Sequence, residues 1–284
     1  MKLASCTMIY LDYVTLEEAI RRIAKTGFHG VDVWGDAPHL DVLVDRGDRR
    51  DLVKLVAEQG LEWSALSVNG GSLARHYNFS YSKAWVRDNT LDYYKKCLDV
   101  CAEMGIPRIN VISGHAMTDT TRDQAWAWNR EAFAALAEHA ASVGVTPCLH
   151  TLTPSESRVI VTLDDILRML HEIDKPNVRL MIDTADQNIT DPDISDAVRK
   201  VANHLDYVHF SDNEGHGLGL THNRPGQGSM NWKRFVTELR DGGYDGYLTA
   251  QLYAGHPIDP DDWQEQCFTY MKNVLQQCGV WPDR

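Results

Sequence analysis

One pattern constrains this chain more than any other: a short apolar run followed by a longer amphipathic stretch, repeated eight times. The runs cover residues 2–9, 30–34, 62–68, 108–112, 146–150, 179–183, 207–211 and 247–253. Most are rich in β-branched or aromatic side chains and are bounded by turn residues, so they predict strands. The stretches between them carry helix signals. Thr15 with Glu18, and Thr121 with Gln124, have the spacing of a capping box. Thr162 precedes Asp164 and Asp165, two acids that favour the positive end of a helix. Gly27, Gly60, Gly105 and Gly144 stand where a helix must stop before the next strand. Such units in series mean parallel strands joined by helical crossovers. Eight of them predict a closed (β/α)8 barrel of the α/β class, a fold of ~250 residues that suits a chain of 284. An open doubly wound sheet would want a glycine-rich phosphate loop after the first strand, and residues 6–11 hold no glycine. No linker, low-complexity segment or strong repeat divides the chain, so residues 1–284 read as a single domain.

Charge and cysteine usage exclude some partners. Acidic residues outnumber basic ones 40 to 28, a net charge of -12 that argues against nucleic acid or an anionic membrane as partner. No apolar stretch approaches the ~20 residues of a membrane span. The first residues place Asp12 inside the opening apolar run, a poor signal peptide. None of the six cysteines forms a C-x-x-C pair, and Cys97 and Cys101 read as one buried helix face. Reduced thiols in a cytoplasmic protein are the expectation.

In such a barrel the chemistry sits where strands end and their following loops begin. Strand two ends with Trp34 and Asp36, strand three with Ser67 and Asn69, and strand four with His115. Strand five ends on His150, with Glu156 beyond it, and strand six on Asp183, followed by Asp186 and Gln187. Strand seven gives His209 and Asp212, and strand eight gives Gln251. A single polar strand end needs no explanation beyond solvent contact. His150, Asp183, His209 and Gln251 together are four groups able to ligate a metal on four consecutive strands.

These positions lie within segments that resemble the xylose isomerase-like TIM barrels, a superfamily of sugar epimerases, keto-sugar isomerases, inosose dehydratases and endonuclease IV. The likeness runs over nearly the whole chain. It is carried by EEAIRRIAKTGFHGVDVW, CAEMGIPRINVISGH, VRLMIDTAD, YVHFSDN, PGQGSMNW and GGYDGYLTAQ, with HFSDN and GYDGYLTAQ the most specific pieces. The resemblance implies one divalent metal, held in the family by a glutamate, an aspartate, a histidine and a second glutamate. Those places fall on His150, Asp183, His209 and Gln251, so both glutamates are changed here. The resemblance also sets Glu156 where sugar epimerases contact substrate, and Asp186 where they often carry a histidine. The endonuclease branch is disfavoured by the charge of -12.

The family's two glutamates hold the metal and move protons on either face of the sugar through an enediolate. A glutamine takes up no proton at useful pH, though its amide oxygen can ligate. A histidine bound through one nitrogen has spent the lone pair a base needs. With one carboxylate in place of three, a bound dication would leave a charge of about +1 and pull harder on a keto oxygen. Two histidines, an aspartate and an amide favour Mn, Fe, Co or Zn over Mg. Three readings follow: an isomerase or epimerase of a small keto-sugar or sugar acid, with Glu156, Asp186 or His115 as bases; a lyase, such as a decarboxylase or dehydratase, acting on a keto-sugar acid; and a non-catalytic sugar-binding barrel. A decarboxylation generates the enolate without any C–H base, which suits both changes. Trp34, Asn69, His216 and Arg224 are expected around a small carbohydrate-derived substrate, His222 is a weaker candidate, and Asp212 is expected to brace His209 or a loop. Homo-oligomers are common among look-alike barrels.

Overall fold

The computed structural model describes residues 1–68, 77–191, 193–217, 221–253 and 259–282. Its strands are β1 (Lys2–Cys6), β2 (Gly30–Trp34), β3 (Glu62–Ser67), β4 (Arg108–Ile112), β5 (Thr146–His150), β6 (Arg179–Asp183), β7 (Leu205–Phe210) and β8 (Tyr247–Ala250). They pair in chain order, all parallel, and β8 closes on β1 through a register running from Lys2↔Tyr247 to Ser5↔Ala250. The fold is therefore the (β/α)8 barrel that the alternation predicts. The crossovers are α1 (Leu16–Thr26), α2 (Arg49–Glu58), α3 (Ala84–Met104), α4 (Arg122–Val143), α5 (Leu163–Ile173), α6 (Thr184–Thr190) with α7 (Ile194–Val201), α8 (Trp232–Asp241) and, after β8, α9 (Pro260–Gln277).

Three strands are shorter than the apolar pattern suggests, β3 by its last residue and β1 and β8 by more. Residues Thr7–Tyr10 turn out of β1 as one stretch of 3-10 helix. There Thr7 Oγ1 accepts from the Trp34 amide at 3.0 Å, and the Tyr10 hydroxyl donates to Asp261 of α9 at 2.8 Å. Burying the Tyr10 ring against the outer helices requires the chain to leave the barrel wall. β8 ends at Ala250, and Tyr253 pairs instead with His222 from the loop after β7.

The helix signals also sort themselves out. The capping box at Thr121–Gln124 is complete, and Thr162 forms one with Asp165 rather than with a longer glutamate. Thr15 makes only the forward bond to the Glu18 amide, because the Glu18 carboxylate is taken by Arg22 Nε at 2.9 Å. Gly27, Gly105 and Gly144 cap their helices in the left-handed region, at φ 104°, 72° and 73°.

Apolar packing falls into two bodies. The larger lies between the barrel wall and the helices and includes Val31, Val33, Leu149, Leu180, Ile182 and Val208. Cys97 and Cys101 of α3 are buried in it. The smaller body is Ala4, Ala65, Cys148, Met181, Tyr207 and Tyr247, which fill the inside of the barrel. Side chains on a strand alternate between faces, so two residues further along each strand also points inward. That next tier is Cys6, Ser67, His150, Asp183, His209 and Thr249, with Asp32 added from β2, and all seven are buried. An apolar floor thus supports a polar tier at the strand ends.

The Thr162 cap offers a direct check on the local physics. Thr162→Ala should lower stability by ~1 kcal/mol in urea unfolding, since it removes the hydroxyl that accepts the Asp165 amide at 3.2 Å.

Candidate active site

The polar tier brings His150, Asp183 and His209 together from β5, β6 and β7, with Gln251 one residue past β8. Asp183 is the hub. It ends β6 and caps α6, its Oδ1 accepting the Ala185 amide at 2.9 Å. Its Oδ2 lies 3.8 Å from His150 Nε2 and 3.8 Å from His209 Nδ1. Among the described residues, none of those three atoms has a hydrogen-bond partner, and neither has Gln251 Oε1, although all four are buried. The Gln251 amide nitrogen faces the Met8 sulfur at 4.0 Å, a weak acceptor that leaves the carbonyl oxygen on the other side. Buried polar atoms are normally paired, so four unpaired ones from four consecutive strands require an explanation.

A shared cation supplies one. Ligands ~2.1 Å from an ion at tetrahedral to octahedral angles lie ~3.0–3.5 Å apart, a few tenths of an ångström inside the spacing here. Asp186 completes a group of potential ligands with His150 and Asp183, its Oδ2 being 3.3 Å from His150 Nε2. The His150, Asp183 and Asp186 ligand atoms lie within 4.8 Å of one another, a spacing that fits a divalent ion.

The electrostatics are steep because the tier is dry. Burial lowers His150 to about 4, despite the pull of Asp183, so it is neutral at ordinary pH. Burial also opposes charge on His209, but Asp183 and Asp32 on either side outweigh it and raise that ring to about 9. For Asp183, burial is overcome by His222, His209 and His150, which hold its carboxyl below the usual range. Asp186 goes the other way: burial and the charge of Asp183 push it well up. Glu156 is raised, first by burial, while its Oε2 accepts the Thr153 hydroxyl at 3.0 Å.

The remaining sequence candidates are placed as follows. His115 is half-buried, its Nδ1 3.1 Å from the Glu156 carbonyl oxygen. Trp34 is half-buried at the end of β2. Asn69 lies outside the described residues. His216 is exposed on the loop after β7. Arg224 lies over the Trp263 ring at 5.1 Å and bonds Gln266, so its guanidinium is held against α9. Asp212 braces the loop rather than His209. It accepts from the amides of Asn213, Gly226 and Met230, and from Trp232 Nε1 at 2.9 Å. Within that loop a Cβ on Gly228 would collide with the Asn213 carbonyl, which explains the second glycine of PGQGSMNW.

Two groups stand closer to the centre than the sequence indicates. His222, from the same loop, has Nδ1 2.9 Å from Ser211 Oγ and 4.0 Å from Asp183 Oδ1. It is carried there by its backbone pairing with Tyr253, at 2.7 and 3.0 Å. Asp32 is fully buried, and its Oδ2 is 2.8 Å from His209 Nε2. The signal for Asp32 was available: an acid between two valines in GVDVW must point to the opposite face from them.

This fold and this arrangement of strand-end residues define a barrel of the xylose isomerase-like type. The profile of that family, described as "Xylose isomerase-like TIM barrel", matches residues 20–273, and the chain belongs to the family. Its relatives include a fructoselysine 3-epimerase of Escherichia coli O157:H7, 24% identical over 262 residues, covering 92% of this chain and 94% of the relative. A D-psicose 3-epimerase of Agrobacterium fabrum is 25% identical over 240 residues, covering 82% and 78%. Among solved structures, an L-ribulose 3-epimerase superposes with a TM-score of 0.84 at 21% identity, covering 98% of this chain and 95% of that one. A 3-keto-D-glucoside 4-epimerase from E. coli gives 0.82 at 19% identity, covering 96% and 99%. Among the described residues, no helix is long and apolar enough to cross a membrane.

The raised His209 gives a sign to the pH dependence of the metal-free protein. Its charged ring stabilises the fold fully below its unfolded value of 6.5, and that contribution is lost as pH rises through about 9. Chelator-treated protein should therefore lose melting temperature between these limits, and His209→Gln should flatten that decline. A melting series across the window checks both.

Proposed function

We propose that the protein is a metal-dependent sugar isomerase or epimerase acting on a small keto-sugar or sugar acid through an enediolate, with one divalent ion held by His150, Asp183, His209 and Gln251. The observation that carries this reading is the set of four buried, unpaired atoms those residues present. Relatives that are sugar epimerases over most of their length support the reaction class. The ion, when bound, would polarise a keto oxygen and so acidify the neighbouring C–H. Two imidazoles and an amide beside one carboxylate favour Mn, Co, Fe or Zn over Mg.

The chain's own residues supply the rest. Gln251 contributes an oxygen but no proton transfer. His150, neutral at ordinary pH, offers a lone pair and no charge. Proton movement then falls to Glu156 and Asp186, whose carboxyls burial raises above the usual carboxylate range, Asp186 well above it. Trp34, Asn69 and His216 remain candidates to line the substrate, as does Arg224 if it leaves its place on Trp263.

A lyase is the second reading, and a specific observation favours it. Neither residue at the two family glutamate positions can act as a carboxylate base, and loss of carbon dioxide from a keto-sugar acid forms the enolate without a C–H base. A sugar-binding barrel without catalysis is the third.

Two measurements separate these readings. Mn or Co should raise the melting temperature of chelator-treated protein, and Asp183→Ala should abolish that rise and cut activity at least ~100-fold. Protein that turns over ketoses in deuterium oxide should incorporate deuterium at the epimerised carbon. Release of carbon dioxide or water, with no exchange of the substrate's own C–H for deuterium, would select the lyase, and an unmoved melting temperature would remove the metal from the reading.

A further inference from the structure

We infer that Asp32, on β2, is a positioning residue that fixes the tautomer and aim of His209, so that Nδ1 presents its lone pair to the centre. The inference rests on the reading of His209 as a metal ligand, and concerns a strand that contributes no ligand to that set.

Asp32 Oδ2 sits at the meeting point of three donors. The Ser67 hydroxyl is 2.8 Å away, the Tyr207 hydroxyl 2.7 Å and His209 Nε2 2.8 Å. The Tyr207 hydroxyl is the donor in its bond to Asp32. A carboxylate oxygen only accepts, so the proton of a neutral His209 must be on Nε2. The opposite tautomer would set a ring lone pair against a buried carboxylate. Ser67 Oγ also approaches Nε2, at 3.3 Å, but its proton is already directed at Asp32.

With Nε2 committed, Nδ1 is the free nitrogen, and it is the one without a partner, 3.8 Å from Asp183 Oδ2. Neighbouring rings confine the imidazole. Tyr207 packs edge-on at 5.1 Å and His150 at 6.4 Å between centroids. A ring turned over about its own axis would lose the Asp32 bond and leave the carboxylate short of a donor. Charge near a ligand's far nitrogen also raises its basicity, which strengthens metal binding. Asp32 therefore acts on the centre through His209, without touching it.

The test uses cobalt(II) as probe on the whole chain. Asp32→Leu keeps the branched heavy-atom skeleton and removes the acceptors. It should bind cobalt about 10–100-fold more weakly than the unaltered protein. In the proton spectrum of the cobalt form, the shifted, exchangeable Nε2–H signal of His209 should vanish in this variant. Tyr207→Phe, which removes a different donor to the same oxygen, should keep both the affinity and the signal. Circular dichroism verifies folding; if Asp32→Leu does not fold, Asp32→Asn is read in its place, with a smaller, several-fold loss expected. Unchanged affinity in the folded Asp32 variant overturns the proposal, as does an equal loss in Tyr207→Phe. If the unaltered protein binds no cobalt, the ligand reading fails and takes this inference with it. That outcome is distinct from a Leu variant that binds as tightly as its parent.

Discussion

A carboxylate taken fully out of water must be compensated, and the site is organised around how Asp183 meets that demand. One oxygen caps the helix that follows it, where backbone amides and the helix dipole favour negative charge. The other faces two imidazoles across gaps too wide for hydrogen bonds, with a third imidazole brought in from the loop after β7. Three histidines from three segments converge on one buried charge. The ladder of β5, β6 and β7 fixes two of them, the Asp183↔His209 register placing those side chains beside each other. The third depends on a short pairing between the loops that follow β7 and β8.

Most of the scaffold was legible in the sequence because it depends on local signals. Four of the eight apolar runs coincide with their strands end to end: residues 30–34, 108–112, 146–150 and 179–183. Where the reading overran, a long-range contact decided. The bond from Tyr10 to Asp261 ends β1, and the pairing of Tyr253 with His222 marks the end of β8. Neither partner is visible from within the run itself. The site was legible to the extent that it sits at strand ends. His150, Asp183 and His209 stand in one buried tier, and Gln251 is buried just past the end of β8.

Groups that act in mid-strand or from a long loop were harder to read. Asp32 lies one turn of pleat below its strand's end, so a search of termini passes over it. His222 follows a stretch whose course no local propensity dictates. Arg224 and Asp212 show the reverse problem, since both look like site residues by position. Arg224 instead lies on Trp263, and Asp212 spends its carboxylate on the loop's own amides and an indole. A charged residue near a strand end has several nearby claimants, and sequence does not rank them.

The interior of the barrel also decides when the centre can exist. The atoms proposed to ligate come from β5 to β7 and the residue after β8, and the acid bonded to His209 comes from β2. The last ligand follows a strand locked on one side by β7 and on the other by β1. No fragment short of the closed ring holds all the parts. A partly folded chain presents scattered imidazoles and carboxylates, each free to remain in water. Only ring closure strips that water away, so the proposed capacity for a cation would arise with the last ladder and be cooperative with it.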